Sequence, residues 1–147
     1  PPPPPQDNLR RQRQMCIRDR LTSGDFARAR DFYSKLLPLL GLSAVVDSED
    51  TYYCVGGKTA FGIRASDRQS PENRFDQASS GLHHLCFRMR QREDVDELYR
   101  FLLDSDARVI HGPREDGWAP GYYSVLFEDP DGIRLEANFV PGRGLLA

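Results

Sequence analysis

The chain predicts an α+β fold: two βαβββ modules forming a cupped, mostly antiparallel sheet with the helices outside. Three observations point there. A strand, a helix and three further strands follow one another twice along the sequence, and such internal repetition is the signature of a duplicated unit. The two helical stretches share an outline, an acidic start followed by a tyrosine and then two leucines: Tyr33 with Leu36 and Leu37, Tyr99 with Leu102 and Leu103. Glycine, proline and aspartate separate the alternating apolar runs where turns are needed.

Taken in order, Asp25 is a good helix N-cap, and residues 26–37 place Phe26, Ala29, Phe32, Tyr33, Leu36 and Leu37 at helical spacing. Pro38 and Gly41 mark the end of that helix. Residues 42–46, 51–55 and 59–65 read as strands, the last two joined by the hairpin pair Gly56-Gly57. Residues 66–81 are polar, contain Pro71, and read as a linker. The order then repeats. Residues 82–89 read as a strand, 92–105 as a helix with Val95, Leu98, Tyr99 and Leu102 on one face, and 108–111 as a strand. A loop with Pro113 and Pro120 follows over 112–121, then strands at 122–128 and 133–139 around the turn Asp129-Pro130-Asp131-Gly132. From Gly142 onward the chain reads as a frayed tail.

With 147 residues, 39% hydrophobic and 29% charged, the chain has material for one core and one domain. A formal charge of -2 gives no reason to expect nucleic acid. No run of about 18 apolar residues predicts a membrane span, and no secretory leader pattern is visible. The cysteines at 16, 54 and 86 are odd in number and lack CxxC spacing. That argues against a disulfide framework or a cysteine zinc site, and a reducing cytoplasm is the default expectation. The predicted domain spans 21–141, with modules of about 16–65 and 82–139. Residues 1–20 are expected to be disordered or foreign. The first five are all proline, the stretch to Gln14 is almost free of apolar residues, and residues 15–20 (MCIRDR) resemble a translated sequencing adapter. A natural polar tail is the alternative. The basic cluster of Arg10, Arg11, Arg13, Arg18 and Arg20 belongs to this head.

Three segments carry a family resemblance: 25–33 (DFARARDFY), 81–87 (GLHHLCF) and 127–136 (FEDPDGIRLE). Together they resemble the vicinal oxygen chelate superfamily of glyoxalases, bleomycin-resistance proteins and ring-cleaving dioxygenases, over about residues 21–139. The resemblance implies a cupped sheet holding a small molecule, often with a divalent metal such as Zn, Fe, Mn or Ni. It places His84 and Glu136 at ligand positions, with Glu136 also a candidate general base. Strand alternation agrees: Leu85, Phe87 and Met89 share one face of their strand, and His84, Cys86 and Arg88 the other. On the last strand Ile133, Leu135 and Ala137 oppose Arg134, Glu136 and Asn138.

The other two ligand positions fail. The offset that separates His84 from its helix leads to Arg18 in the first module, and arginine has no lone pair to give. Aligning Gly57 with Gly132 puts Phe61 at the remaining position. Two ligands fall short of the three that catalytic zinc or the iron triad uses. Either a first-strand histidine was lost to the foreign head, or the pocket is a genuine non-metal one. Arg88, Trp118, Tyr123 and Phe61 are the candidate substrate-binding residues. The aromatics of the 112–123 loop either cover the pocket or pack the core edge, and Glu136 either binds a ligand or pairs with Arg134 or Arg88.

Two function classes follow from the resemblance. One is a metal-dependent lyase, isomerase or dioxygenase, in which the metal acts as a Lewis acid on neighbouring substrate oxygens. The other is a binder like the family's antibiotic-sequestering members, without chemistry. Neither nucleic acid nor membrane is expected as a partner, and a homodimer paired through sheet edges fits the resemblance.

Overall fold

The computed structural model describes residues 17–142. The expectations for residues 1–16, Cys16 among them, and for the tail beyond Gly142 lie outside the described residues. The elements run β1 (Ile17–Ser23), α1 (Phe26–Leu39), β2 (Ser43–Asp47), β3 (Thr51–Val55), β4 (Thr59–Ala65), β5 (Leu85–Arg88), α2 (Arg92–Leu103), β6 (Arg108–Glu115), β7 (Tyr123–Glu128) and β8 (Arg134–Phe139). They form two four-stranded sheets, β1-β4-β3-β2 and β5-β8-β7-β6. In each, the first strand runs parallel to its neighbour and the other pairings are antiparallel. The duplicated βαβββ order is therefore real, and it builds two sheets rather than one continuous one.

Both helices start where side chains can satisfy the free backbone N–H groups. The Asp25 carboxylate accepts the Arg28 N–H at 3.2 Å. Asp94 in the first turn of α2 accepts the Gln91 N–H at 3.0 Å. Pro38 does not end α1 as its sequence predicts; the helix runs one residue further. It closes by a Schellman arrangement, in which Leu42 N–H reaches Leu37 O and Gly41 N–H reaches Pro38 O, each at 3.0 Å. Gly41, at φ 77, takes the left-handed turn this requires.

Three further boundaries differ from expectation by more than two residues. β1 begins at Ile17, inside the segment read as a disordered or foreign head, and pairs with β4 residue by residue from Ile17↔Thr59 to Ser23↔Ala65. β5 is shorter than the stretch 82–89, so His84 lies just before it. β6 extends through Gly112 and Pro113 to Glu115. It is an edge strand, where a missing N–H is tolerated, and its register shifts between His111 and Arg114 absorb the proline.

One core serves both modules. Phe32, Tyr33, Leu36 and Leu37 of α1 and Val95, Leu98 and Leu102 of α2 are buried in the same cluster as Phe61, Ile63, Phe127 and Leu135 from the sheets. Rings bridge the modules: Phe32 with Phe101 at 6.1 Å, and Phe61 with Phe87 at 5.4 Å. The Tyr33 hydroxyl donates to Asp129 Oδ2 at 2.6 Å, and Asp131 Oδ1 accepts the N–H groups of Gly24 and Asp25 at 3.0 and 3.3 Å. The Asp-Pro-Asp-Gly turn of the second module is thus bonded into the first. Among the described residues no helix is long and apolar enough to cross a membrane.

Candidate functional site

Because side chains alternate along a strand, each sheet has a face toward the helices and a face away from them. In the second sheet, Leu85, Leu135, Phe127, Ala137 and Val125 share the helix side with the core cluster. Cys86 pairs with Glu136, Arg88 with Asn138, and Glu136 with Leu126, all on the helix-free side.

There a polar group collects around Glu136. Tyr122 O–H donates to Glu136 Oε1, as does Asn138 Nδ2 at 3.1 Å, and Cys86 Sγ lies 3.7 Å away. Asn138 Nδ2 also lies 2.8 Å from both Cys86 Sγ and Tyr122 Oη. His84 Nε2 sits 3.5 Å from the other carboxylate oxygen, Oε2. Burial, then the neighbouring Glu136 carboxylate, push the Cys86 thiol up to about 12. The Tyr122 phenol is raised for the same reasons, burial first and then its bond to Glu136. Both therefore stay protonated donors at neutral pH. The consequence is an asymmetric carboxylate: Oε1 is occupied by donors of the protein, and among the described residues Oε2 faces only a histidine at the edge of ion-pair distance. Asn138 Oδ1, buried beside them, has no partner among the described residues. With the His84 side chain 33% exposed and that of Glu136 13% exposed, the group is reachable from solvent.

The candidate residues divide sharply. His84 and Glu136 come together. Arg88 is on the same side, and its guanidinium is held by Val140 O at 2.6 Å. Trp118 is 75% exposed. Tyr123 faces the helices: its hydroxyl donates to Asp96 at 2.7 Å, and the Arg92 guanidinium lies 3.7 Å over its ring. Its neighbour Tyr122 takes the place expected of it. The parity was present in the sequence, because Tyr123 shares its alternation with Val125 and Phe127, which are core residues. Cys86 and Asn138 shared the face of His84 and Glu136 in the sequence without being singled out.

Phe61 needs the same correction. Its ring packs between Tyr33 at 5.5 Å and Phe87 at 5.4 Å, and it is 2% exposed. Counted from the pairings, Arg20↔Gly62 in the first module matches Cys86↔Glu136 in the second. The counterpart of Glu136 is therefore Gly62, one residue beyond Phe61, and a one-residue slip exchanges the two faces. No side chain fits there: a Cβ on Gly62 would meet Tyr53 Cδ2 at 2.5 Å and Tyr52 O at 3.0 Å. Tyr53, with Arg20 over its ring at 5.1 Å, fills this part of the first sheet.

These residues do not fit the divalent metal that the resemblance implies. Of four positions, two hold a histidine and a carboxylate, one holds Arg18 and one Gly62. Among the described residues no group of three or more His, Cys, Asp or Glu side chains is arranged to hold a metal ion, and Glu136 Oε1 is already taken. We expect Mn2+, Fe2+, Zn2+ or Ni2+, added in turn, to leave the melting temperature unchanged, since only binding to the folded state raises it. A saturable rise with any of them, lost in Glu136→Ala, contradicts this reading of the donors.

Comparison with known proteins agrees with the fold. The chain is 27% identical over 120 residues to the uncharacterized protein YqjT of Bacillus subtilis (strain 168), covering 76% of this chain and 88% of that one. It superposes on a glyoxalase/bleomycin resistance protein from Albidiferax ferrireducens T118 with TM-score 0.68 at 21% identity, covering 86% of this chain and 99% of that one. It does so on a lactoylglutathione lyase from Agrobacterium tumefaciens with TM-score 0.62 at 21% identity, covering 93% and 96%. At these identities the structural likeness is one of fold. The glyoxalase/bleomycin resistance protein/dioxygenase family model matches residues 16–137. The match covers the first module and all of the second but the last two residues of β8, and the chain belongs to this superfamily.

Proposed function

We propose that this glyoxalase-like protein takes a small molecule on the helix-free face of its second sheet, and that Glu136 Oε2 moves a proton of that molecule. The observation that carries the reading is the unequal treatment of the two carboxylate oxygens. Tyr122 and Asn138 fix the carboxylate through Oε1 and leave Oε2 as the acceptor a ligand meets. His84 beside Oε2 is placed to orient a neighbouring oxygen of the ligand. Lyase or isomerase chemistry that begins by removing a proton next to a carbonyl suits these groups without a metal.

The test is proton exchange. The intact protein is mixed with a panel of small α-hydroxycarbonyl compounds in D2O, and loss of the α-proton signal is followed by NMR. Exchange above the buffer rate is expected for a member of the panel, and Glu136→Gln is expected to slow it about 10²–10⁴-fold. Undiminished exchange in that variant removes Glu136 from the role. A second reading, non-catalytic binding like the antibiotic-sequestering relatives, is favoured by one observation: Arg18 and Gly62 stand where ligands of a metal centre are implied. Saturable shifts at the amides of residues 84, 86 and 136 with no exchange for any compound would select it. The exposed edge strand β2, with Val45 and Val46 57% and 44% exposed, supports pairing of two copies through sheet edges.

A further inference from the structure

The two modules meet at two equivalent places, and only one of them is closed. The N-cap residues Asp25 and Gln91 correspond, as do Gly62 and Glu136, so Gly24 matches Arg90, Thr22 matches Arg88, and Asp131 matches Gly57. At the first place Asp131 enters the turn before α1 and accepts two backbone N–H groups. The cleft left there measures about 320 Å³, and residues 73–76 of the linker form part of its wall. At the second place Gly57 brings no carboxylate, and a Cβ built on it meets nothing within 4 Å. A cleft of about 620 Å³ remains between the end of α1, the β3–β4 hairpin and the start of α2.

This larger cleft is chemically lopsided. Leu39, Leu40, Leu42 and Met89 give it an apolar part, and Lys58, Arg88 and Arg90 line it with three cations. Its carboxylate, Asp94, is already engaged by the Gln91 N–H. Arg88 is held by Val140 O, whereas Lys58 and Arg90 have no hydrogen-bond or ion-pair partner among the described residues. Unpaired cations beside an apolar wall, in a volume within the usual range for ligand pockets, are complementary to a molecule with both characters. The internal comparison sharpens this, since the equivalent position in the other half of the molecule is filled by a carboxylate of the chain itself.

We propose that this cleft binds a small amphipathic carboxylate, a short aliphatic chain ending in an anionic group. The site shares Arg88 with the helix-free face of the second sheet but none of the side chains bonded around Glu136, and it stands independently of the function proposed for that group. Octanoate is the probe, titrated into the intact protein at fixed ionic strength. Expected are a saturable rise in melting temperature and amide shifts at Lys58, Thr59, Met89 and Arg90. Octan-1-ol, which has the chain without the charge, and inorganic phosphate, which has the charge without the chain, are each expected to bind about tenfold more weakly or worse. Lys58→Glu with Arg90→Glu, both at exposed side chains, is expected to weaken octanoate about tenfold or more. The neutral pair Lys58→Gln and Arg90→Gln serves if the reversed pair does not fold. Glu136→Gln is expected to leave octanoate binding unaltered. The proposal is overturned if octanoate does not bind, if octanol binds as well, if the paired variants bind octanoate undiminished, or if the shifts map to residues 84, 122 and 136.

Discussion

Asp129→Ala is expected to lower the unfolding free energy by about 3–5 kcal/mol, enough to leave a domain of this size barely folded. The side chain is 2% exposed. It accepts the Tyr33 hydroxyl at 2.6 Å through one oxygen, and the Asp131 and Ile133 N–H groups at 2.9 Å through the other. Alanine leaves three donors unmet in the interior, each a loss of about 1–3 kcal/mol before relaxation. It also unties α1 of the first module from the last hairpin of the second. Urea unfolding at pH 7 measures the loss. Asp129→Asn should be milder, about 1 kcal/mol, because one amide oxygen still meets the backbone donors.

The same residue gives stability a dependence on pH. Burial, and next the neighbouring Asp131, raise Asp129 to about 6. A carboxyl whose pKa is higher in the folded state holds its proton there after the unfolded chain has released it. Its contribution is therefore fullest below pH 4, declines as pH rises through 4 to 6, and is flat above. The change is about 2–3 kcal/mol over that window. When protonated, the carboxyl donates to the Tyr33 oxygen instead of accepting from it. Asp129→Asn carries no such proton, so its stability should be flatter than the parent's between pH 4 and 6. Parallel curves for the two proteins would deny Asp129 a raised pKa.

How much of this was legible in the sequence depends on what each element shows to its neighbours. Both helices were readable because six residues of α1 and three of α2 repeat apolar character on the buried side. β1 was legible only as the strand the repeat calls for, because Arg18, Asp19 and Arg20 make no apolar pattern; its place is set by backbone pairing with β4, which side-chain chemistry does not announce. The extension of β6 through Pro113 was hidden for a related reason, since proline reads as a break wherever the strand's edge position is unknown. At the site, alternation alone brought His84, Cys86, Glu136 and Asn138 to one face. It gave no distances, so the tie of Tyr122 to Glu136 could emerge only when the strands were laid side by side. The docking of Asp131 on Gly24, between residues 107 positions apart, had no local signal at all.

Phe61→Ala is expected to cost about 3–5 kcal/mol, the usual loss when a core aromatic is truncated. The ring touches Tyr33 on α1 and Phe87 on β5, so its removal opens a cavity at the meeting of the two modules. The loss should appear in urea unfolding with no ligand present, and ligand affinity measured on the fraction that folds should be unchanged. Had the last strand of the first module faced the other way, Phe61 would line the open side, and the same substitution would lower affinity while leaving stability within about 0.5 kcal/mol. Gly62→Ala checks the register from the other side. Its methyl group would press on the Tyr53 ring and on Tyr52 O, which predicts a loss of about 1–3 kcal/mol by overpacking. Were Gly62 on a roomy face, the substitution would instead be neutral or slightly stabilising, as glycine to alanine is in an unstrained strand. Two substitutions one residue apart, each destabilising for the opposite reason, therefore fix which face of β4 looks toward the helices. With that settled, the first module has no counterpart to Glu136, and what its own helix-free face presents around Gly62 is Arg18, Arg20 and Tyr53.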